Sequence, residues 1–247
     1  MLTRDALFNG DLLLYQFKGG YRFSMDAVLL PGMTRVQATD RVVDLGTGCG
    51  VVPLILAHRK RGCVWVGIEI QPDLVELARR NVAANGWNTR IHIVEMDFRE
   101  VSGHFAPGAF DLVVSNPPYR RLTSGRINPN PQRAVARHEL MASLEDVCAA
   151  ASFLLSDGGR MALVYPASRL AHLMVVIQRC GFAPKRLTCI HSRQQSPATL
   201  VHLECRKGGG EELQVEPPLY VYQADGQLSE TVRKLYQDEN PINAGRS

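Results

Sequence analysis

The stretch VVDLGTGCGVVPLILA, residues 42–57, contains two apolar runs that are joined by a glycine-rich turn. The first run, RVVDLG at 41–46, is short, rich in valine and ended by glycine, as expected of a strand that is buried on both faces. The second run, VVPLILAHR, is predicted to form a helix with Pro53 in its first turn, where proline is tolerated. A strand that passes directly into a helix indicates a parallel sheet flanked by helices.

Four later apolar runs have the same strand character, because they are rich in valine and isoleucine and bounded by breakers. They are VWVGIEI (64–70), RIHIVEMD (90–97), FDLVVSN (110–116) and RMALVYP (160–166). Helices are predicted from Pro72 to Asn85-Gly86, over 139–159 with two glycines at its end, and over 167–181. Two final runs, RLTCIHS and TLVHLEC, lack a helix between them and predict an antiparallel hairpin at the sheet edge. The predicted fold class is α/β, with a seven-stranded, mostly parallel sheet and helices on both faces.

Composition indicates a globular protein without a membrane-spanning segment or a disulfide framework. The chain has 247 residues, a hydrophobic fraction of 45% and a net charge of +4. The N-terminus lacks an apolar signal core, and no apolar run reaches about 18 residues. The six cysteines include no Cys-x-x-Cys pair. We therefore expect reduced thiols, a cytoplasmic location and no metal site.

Acidic residues follow three successive predicted strands, at Asp44, Glu69 and Asp97. Each alone would also fit an ordinary turn or cap, but parallel strands end at one edge of the sheet, where ligands bind. The glycine spacing is Gly-x-Gly-x-Gly, whereas the dinucleotide fingerprint is Gly-x-Gly-x-x-Gly. Asp44 would repel a pyrophosphate and attract a cation. This favours S-adenosylmethionine, which carries an amino group and a sulfonium but no phosphate.

The motif SNPPY, residues 115–119, ends the fourth strand, since prolines cannot continue it. The side-chain oxygen of Asn116 and the carbonyl of Pro117 are predicted to accept hydrogen bonds from a planar amine. These bonds would stabilise the positive charge that develops as the nitrogen attacks a methyl carbon. The prolines fix the backbone, and Tyr119 is predicted to stack on the substrate ring. The alternative is a purely structural turn.

Taken together, these motifs resemble those of the class I, Rossmann-like S-adenosylmethionine-dependent methyltransferases. The Asn-Pro-Pro-Tyr element is similar to that of members that methylate adenine or cytosine amino groups or a glutamine amide. The resemblance implies that Glu69 binds the ribose, that Asp97 contacts the adenine and that S-adenosylhomocysteine is the product. The cofactor-binding residues that it implies are Tyr21, Arg22, Phe23, Asp26, Asp44, Gly46, Thr47, Gly48, Cys49, Gly50, Glu69, Ile70, Asp97, Phe98 and Asn116.

The segment FKGGYRFSMDAVLL and the segment after Tyr119 are similar to bacterial tRNA adenine-N6 methyltransferases, the group that acts on adenine 37 of a valine tRNA. Residues 1–35 are predicted to form a hairpin, with its turn at Gly19-Gly20, and a helix that cap the cofactor site. Residues 36–207 would be the methyltransferase core. Residues 208–247 would pack on the core through a short strand and a helix from Ser229.

A run of 19 residues after the motif, 120–138, contains five arginines and no acid. Its position beside the predicted catalytic residues favours contact with RNA phosphates, although a solvated loop has the same composition. The predicted substrate-binding residues are Tyr119, Arg120, Arg121, Arg126, Arg133 and Arg137. Four cations on the late hairpin are predicted to extend this basic surface, namely Arg186, Arg193, Arg206 and Lys207.

Three enzymatic functions fit the sequence to different degrees. The first is N6-methylation of an adenine in structured RNA, with tRNA as the expected substrate and partner. The second is N5-methylation of a glutamine in release factors. The enzymes that catalyse this reaction have a helical domain before the methyltransferase core, whereas this chain has a hairpin-like segment there, which argues against this function. The third is a nicotinamide-dependent oxidoreductase, which the glycine spacing and Asp44 disfavour. A non-catalytic RNA-binding module would leave Asn116 unexplained.

Overall fold

The computed structural model describes residues 1–18, 24–59, 64–117 and 142–237. In chain order the elements are β1 (Leu2–Leu7), β2 (Leu12–Phe17), α1 (Asp26–Met33), β3 (Arg41–Leu45), α2 (Val51–His58), β4 (Val64–Glu69), α3 (Pro72–Ala84), β5 (Ile91–Glu95), β6 (Phe110–Ser115), α4 (Leu144–Leu154), β7 (Leu155–Pro166), α5 (Leu170–Arg179), β8 (Phe182–His191), β9 (Ala198–Lys207), β10 (Gln214–Val215), β11 (Leu219–Tyr220) and α6 (Glu230–Tyr236). Short 3₁₀ helices span Phe8–Gly10, Phe98–Gly103 and Ala167–Arg169.

The central sheet has the strand order β10-β8-β9-β7-β6-β3-β4-β5, and β11 also pairs with β8. Strands β3 to β7 are mutually parallel, whereas β9 lies between β7 and β8 and is antiparallel to both. This confirms the predicted α/β class and the antiparallel hairpin. The hairpin is not at the sheet edge, however, because β10 and β11 pair with β8 in parallel. They raise the strand number from the predicted seven to nine.

The central strands are apolar at successive positions because both faces of the sheet are covered. Val42 packs with α2 and α3 on one face, and Val43 packs with α4 and α5 on the other. Both valines are fully buried. Since neighbouring side chains of a strand point to opposite faces and both faces are covered, apolar residues are favoured at successive positions in the middle of these strands.

The helices predicted after β3 and β4 are confirmed. Pro53 lies in the first turn of α2, and Pro72 is the first residue of α3, which ends before Asn85. In both cases the proline occupies a position whose backbone N–H has no acceptor within the helix. Gly86 follows with a φ of +71°, a conformation that glycine adopts without strain.

The helix predicted over 139–159 is shorter than expected. It begins at Leu144, after a reciprocal capping box between Ser143 and Asp146, and ends at Leu154. The next residue, Leu155, pairs with Phe110 at the start of β6, so sheet pairing takes over before the two glycines are reached. Residues 139–141 of that prediction lie outside the described ranges.

An N-terminal hairpin is present with its turn at Phe8–Gly10, and the turn predicted at Gly19-Gly20 stays a prediction. Strands β1 and β2 pair antiparallel and are joined at Phe8–Gly10, whereas Gly19-Gly20 lies outside the described residues. Phe8 and Asn9 adopt φ values of 53° and 56°, which are uncommon for residues with a side chain. The ring of Phe8 stacks on His58 at the end of α2, at 4.6 Å between centroids. This packing anchors the turn to the core.

The chain after β9 packs along β8 and onto α1. Ser229 caps α6 by accepting a hydrogen bond from the Val232 backbone N–H, which confirms the helix predicted from Ser229. Leu235 of α6 meets Leu29 and Met33 of α1 in a separate apolar cluster. Within the part of the chain that the structure describes, no helix is both long enough and apolar enough to span a membrane.

Candidate active site

The carboxyl ends of β3, β4 and β6 lie side by side in the middle of the sheet. Leu45 pairs with Ile68 of β4 and with Ser115 of β6. The Ser115 hydroxyl donates to the Leu45 carbonyl at 2.9 Å, and the backbone N–H groups of Gly46 and Thr47 both donate to the Ile68 carbonyl at 2.9 Å. The glycine loop, residues 46–50, therefore begins directly beside Asn116.

Glycines shape the loop between β3 and α2. Gly46, Gly48 and Gly50 have φ values of 75°, 58° and 80°, which side chains rarely tolerate. A Cβ at Gly50 would also lie 3.3 Å from the Cβ of Ala78 on α3. At Gly46, by contrast, a Cβ would meet nothing within 4 Å. The loop therefore packs tightly on α3 at one end and leaves space beside its first glycine.

Glu69, at the end of β4, holds the centre of the loop. Its Oε2 accepts from the Gly48 backbone N–H at 2.9 Å, and its Oε1 accepts from the Ile70 and Gln71 backbone N–H groups, both at 3.0 Å. The carboxylate is buried. Each carboxylate oxygen has about two lone-pair directions, so Glu69 can order the loop and still accept from ligand hydroxyls.

Asp44, beneath the loop, is a buried acid whose charge is poorly compensated. Burial, together with the nearby charge of Glu69, raises the pKa of the Asp44 carboxyl to about 7. Among the described residues, Oδ2 of Asp44 and the buried hydroxyl of Thr47 make no hydrogen bond of normal geometry, although the Thr47 side chain partly opposes the rise in the pKa of Asp44. Buried polar atoms without partners are rare in native proteins. These two oxygens fit a ligand that brings a cationic amino group, as S-adenosylmethionine does.

Asp97, which follows β5, has partners of its own in this structure. Its Oδ1 accepts from the Arg99 backbone N–H at 2.9 Å and its Oδ2 accepts from the Arg99 Nε at 2.8 Å. The hydrogen bond from Arg99 lowers the pKa of the Asp97 carboxyl. Asp97 thus caps the short helix that starts at Phe98, and its contact with an adenine stays a prediction.

Some of the remaining predicted site residues lie within the ranges that the structure describes, and others lie outside them. Asp26 is the first residue of α1, Ile70 and Phe98 are half-buried, and Cys49 is buried. Burial raises the pKa of the Cys49 thiol to about 11, so this cysteine is no nucleophile. The predicted residues outside the described ranges are Tyr21, Arg22, Phe23, Tyr119, Arg120, Arg121, Arg126, Arg133 and Arg137.

The predicted basic surface does not extend along the late hairpin. Arg206 and Lys207 pair with Arg160 and Phe182. These positions lie at the amino-terminal ends of the parallel strands, whereas Asn116 lies at the carboxyl ends. Lys207 donates to the Ser152 and Leu155 carbonyls at the end of α4, at 2.8 Å each. Arg186 is buried between Glu204 and Glu216, at 3.0 and 2.7 Å. Of the four cations, Arg193, in the turn after β8, is exposed on the catalytic side.

Sequence reasoning missed Gly67, in the middle of β4. A Cβ there would lie 2.8 Å from Cγ2 and 2.9 Å from the hydroxyl of Thr47, and 3.0 Å from Cδ1 of Ile93. The available signal was a glycine inside a strand pattern, which often marks a close approach of another group.

Gly67→Ala is expected to weaken S-adenosylmethionine binding about tenfold, because the new methyl group displaces Thr47 and the loop with it. Isothermal titration calorimetry would measure the affinity. Gly103→Ala is the matched control, since a Cβ at Gly103 meets nothing within 4 Å. Equal affinities of the two variants would show that the loop does not depend on Gly67.

Comparison with known proteins agrees with this geometry. The family model described as the methyltransferase small domain matches residues 25–173. A protein of Aeromonas salmonicida named tRNA1(Val) (adenine(37)-N6)-methyltransferase is 37% identical over 152 residues, which is 61% of this chain and 62% of that protein. A protein of the same name from Bacteroides fragilis is 32% identical over 180 residues, 73% of this chain and 75% of that protein.

Solved structures support the fold. A predicted O-methyltransferase from Agrobacterium tumefaciens has a TM-score of 0.70 at 23% identity, covering 87% of this chain and 96% of its own. A tRNA m1G37 methyltransferase from M. jannaschii has a TM-score of 0.56 at 17% identity, covering 85% and 57%.

The Rossmann-like sheet and the loop at its edge define an S-adenosylmethionine-dependent methyltransferase of class I. The chain belongs to the methyltransferase small domain family.

Proposed function

We propose that this protein transfers a methyl group from S-adenosylmethionine to the N6 amino group of an adenine in tRNA. The observation that carries the proposal is the position of Asn116 and Pro117. They follow β6, which pairs with β3, and thus lie next to the glycine loop and the buried Asp44. The names of the relatives, tRNA1(Val) (adenine(37)-N6)-methyltransferase, support tRNA as the substrate and adenine 37 as the target.

Three groups of the loop region would hold the cofactor. Asp44 and the Thr47 hydroxyl would bind the methionine amino group, since in the described part of the chain they hold the buried side-chain oxygens that make no hydrogen bond of normal geometry. Glu69 would accept from the ribose hydroxyls while it keeps the Gly48 N–H. When bound, S-adenosylmethionine supplies an electrophilic methyl group. No residue of the chain then has to form a covalent intermediate.

Asn116 and Pro117 would position the target amine. An exocyclic amine conjugated to a base is a poor nucleophile, because its lone pair is delocalised into the ring. Hydrogen bonds from its two N–H groups to the Asn116 side-chain oxygen and the Pro117 carbonyl would orient the remaining lobe and stabilise the developing positive charge. The nitrogen gains the methyl carbon and then loses a proton, for which no strong base is needed. Pro117 is buried, its ring fixes its own φ, and the proline that follows it in the sequence restricts its ψ, so few directions are open to this carbonyl.

Recognition of RNA would fall mainly to the residues that follow the motif. Tyr119 would stack on the adenine, which is worth about 1–3 kcal/mol for a base on an aromatic ring. The arginines of 120–138 would contact phosphates on either side of it, and the adenine would have to turn out of its stack to reach Asn116. A tRNA substrate places the reaction in the cytoplasm.

A labelled-cofactor assay tests the substrate assignment. Purified protein is incubated with S-[methyl-³H]adenosylmethionine and, in separate reactions, with total bacterial tRNA, duplex DNA or a release factor. We expect label only in tRNA, recovered as N6-methyladenosine after nuclease digestion. tRNA transcribed without adenine at the target position is the control. Label in the release factor, or in another nucleoside, would overturn the assignment.

A further inference from the structure

The outer edge of β2 is paired with two side chains of α3 rather than with another strand. Asn81 accepts from the Tyr15 backbone N–H at 2.7 Å and donates to the Tyr15 carbonyl at 3.1 Å. Asn85 makes the same two contacts to Leu13, at 3.0 and 2.8 Å. Each amide therefore replaces the hydrogen bonds that a neighbouring strand would make.

The spacing of the two asparagines matches the strand. Four residues of a helix rise about 6.0 Å, and two residues of a strand rise about 6.7 Å, so amides at 81 and 85 can meet backbone groups at 13 and 15. An unpaired strand edge is otherwise open to other chains. Asn81 is fully buried, so its hydrogen bonds are made away from water.

The two amides differ in the use of their remaining N–H. The second Nδ2–H of Asn85 donates to the Asn81 carbonyl within α3, at 2.7 Å. That of Asn81 donates to the Cys49 carbonyl at 2.9 Å. Cys49 lies between Gly48 and Gly50, in the loop that Glu69 holds from the other side. Asn81 thus joins the N-terminal hairpin to the cofactor loop, whereas Asn85 joins the hairpin to the helix alone.

We propose that Asn81 is a positioning residue that couples docking of the hairpin to the geometry of the cofactor loop. The inference rests on the proposed use of S-adenosylmethionine. Because one amide bonds both the Tyr15 backbone and the Cys49 carbonyl, undocking of the hairpin leaves that amide less constrained and weakens its hold on the loop. Coupling between two events is reciprocal, so bound cofactor must hold the hairpin more firmly by the same factor.

Asn81→Ala and Asn85→Ala provide a matched pair of variants. Both remove a bidentate contact to β2, and both are expected to lower the melting temperature. Only Asn81→Ala frees the Cys49 carbonyl. We expect it to raise the dissociation constant of S-adenosylhomocysteine about tenfold, the equivalent of about 1.4 kcal/mol and of one hydrogen bond. Asn85→Ala is expected to stay within about twofold of the wild type.

Hydrogen exchange of the unmodified protein gives a readout that needs no variant. Adding S-adenosylhomocysteine is expected to slow exchange of the Tyr15 amide, and this protection is expected to persist in Asn85→Ala. Equal dissociation constants for the two variants, or a Tyr15 amide that does not respond to the ligand, would overturn the coupling. Failure of the wild type to bind the ligand would instead overturn the proposed function.

Discussion

Asn116→Ala is expected to lower the rate of methyl transfer to tRNA about a thousandfold while cofactor affinity stays nearly intact. The loss is of the size seen when one preorganised partner of a developing charge is removed, about 3–4 kcal/mol. Asn116 is half-buried just after β6, and the preceding Ser115 is fixed to Leu45, so the backbone is held on one side when the side chain is removed. Single-turnover rates with saturating S-adenosylmethionine and tRNA would measure the effect.

Asn116→Asp separates the loss of an acceptor from a general disturbance. It keeps an acceptor oxygen at the same position, so it is expected to be at least about tenfold faster than the alanine variant. Calorimetric titration of both variants with S-adenosylhomocysteine reports whether the cofactor site is intact. Turnover at wild-type rates in Asn116→Ala would remove this residue from the mechanism.

Asp44→Asn is expected to have opposite effects on binding and on stability. It removes the anion that would face the cofactor amino group, and a loss of about a hundredfold in cofactor affinity corresponds to removing one partner of a buried charged hydrogen bond, about 2–3 kcal/mol. The free protein should gain stability at pH 8, because a buried carboxylate with an unpartnered oxygen is replaced by a neutral amide.

The pH dependence of stability follows from the raised pKa of Asp44. An unfolded aspartate titrates near pH 3.9, whereas Asp44 in the folded protein titrates at about 7. Between these values the unfolded state releases a proton that the folded state keeps, so the free energy of unfolding falls as pH rises. The fall from this one group amounts to about 4 kcal/mol and ends above pH 7. Asp44→Asn should lose this dependence in melting curves recorded from pH 5 to pH 8.

Asp111→Asn is the control for this experiment. Asp111 lies near the start of β6, at the amino-terminal ends of the parallel strands and away from the glycine loop, and its carboxylate pairs with Arg41 at 3.0 Å. The hydrogen bond from Arg41 lowers the pKa of Asp111, so its replacement should slightly destabilise the protein above pH 4 and leave cofactor affinity unchanged. Identical pH profiles for Asp44→Asn and the wild type would contradict the role of Asp44.

The central layer could be predicted because its signals are local. Valine-rich runs, the glycine turn and Pro72 each specify their own element, and the strands and helices from β3 to β6 lie where these signals place them. The predicted end of α4 was wrong because the competing partner, Phe110, is about 45 residues away in the sequence. A helix boundary that is set by sheet pairing cannot be recognised from the helix alone.

The same distinction applies to the site. Asp44 and Glu69 could be placed from the ends of parallel strands, which the structure confirms by their register. The pairing of Arg186 with Glu204 and Glu216, and of Lys207 with the end of α4, depends on tertiary contacts that composition does not reveal. Asn81 resembles any polar helix residue until β2 is placed against it.

Packing of α6 on α1 has a consequence for biosynthesis. Leu235 lies close enough to Gly32 that a methyl group there would be 2.9 Å from its Cδ2, and Arg59 at the end of α2 donates to the Leu235 carbonyl at 2.6 Å. The chain as far as Leu235 must therefore leave the ribosome before Leu29 and Met33 of α1 are covered. Until then these side chains expose apolar surface, which is open to non-native contacts.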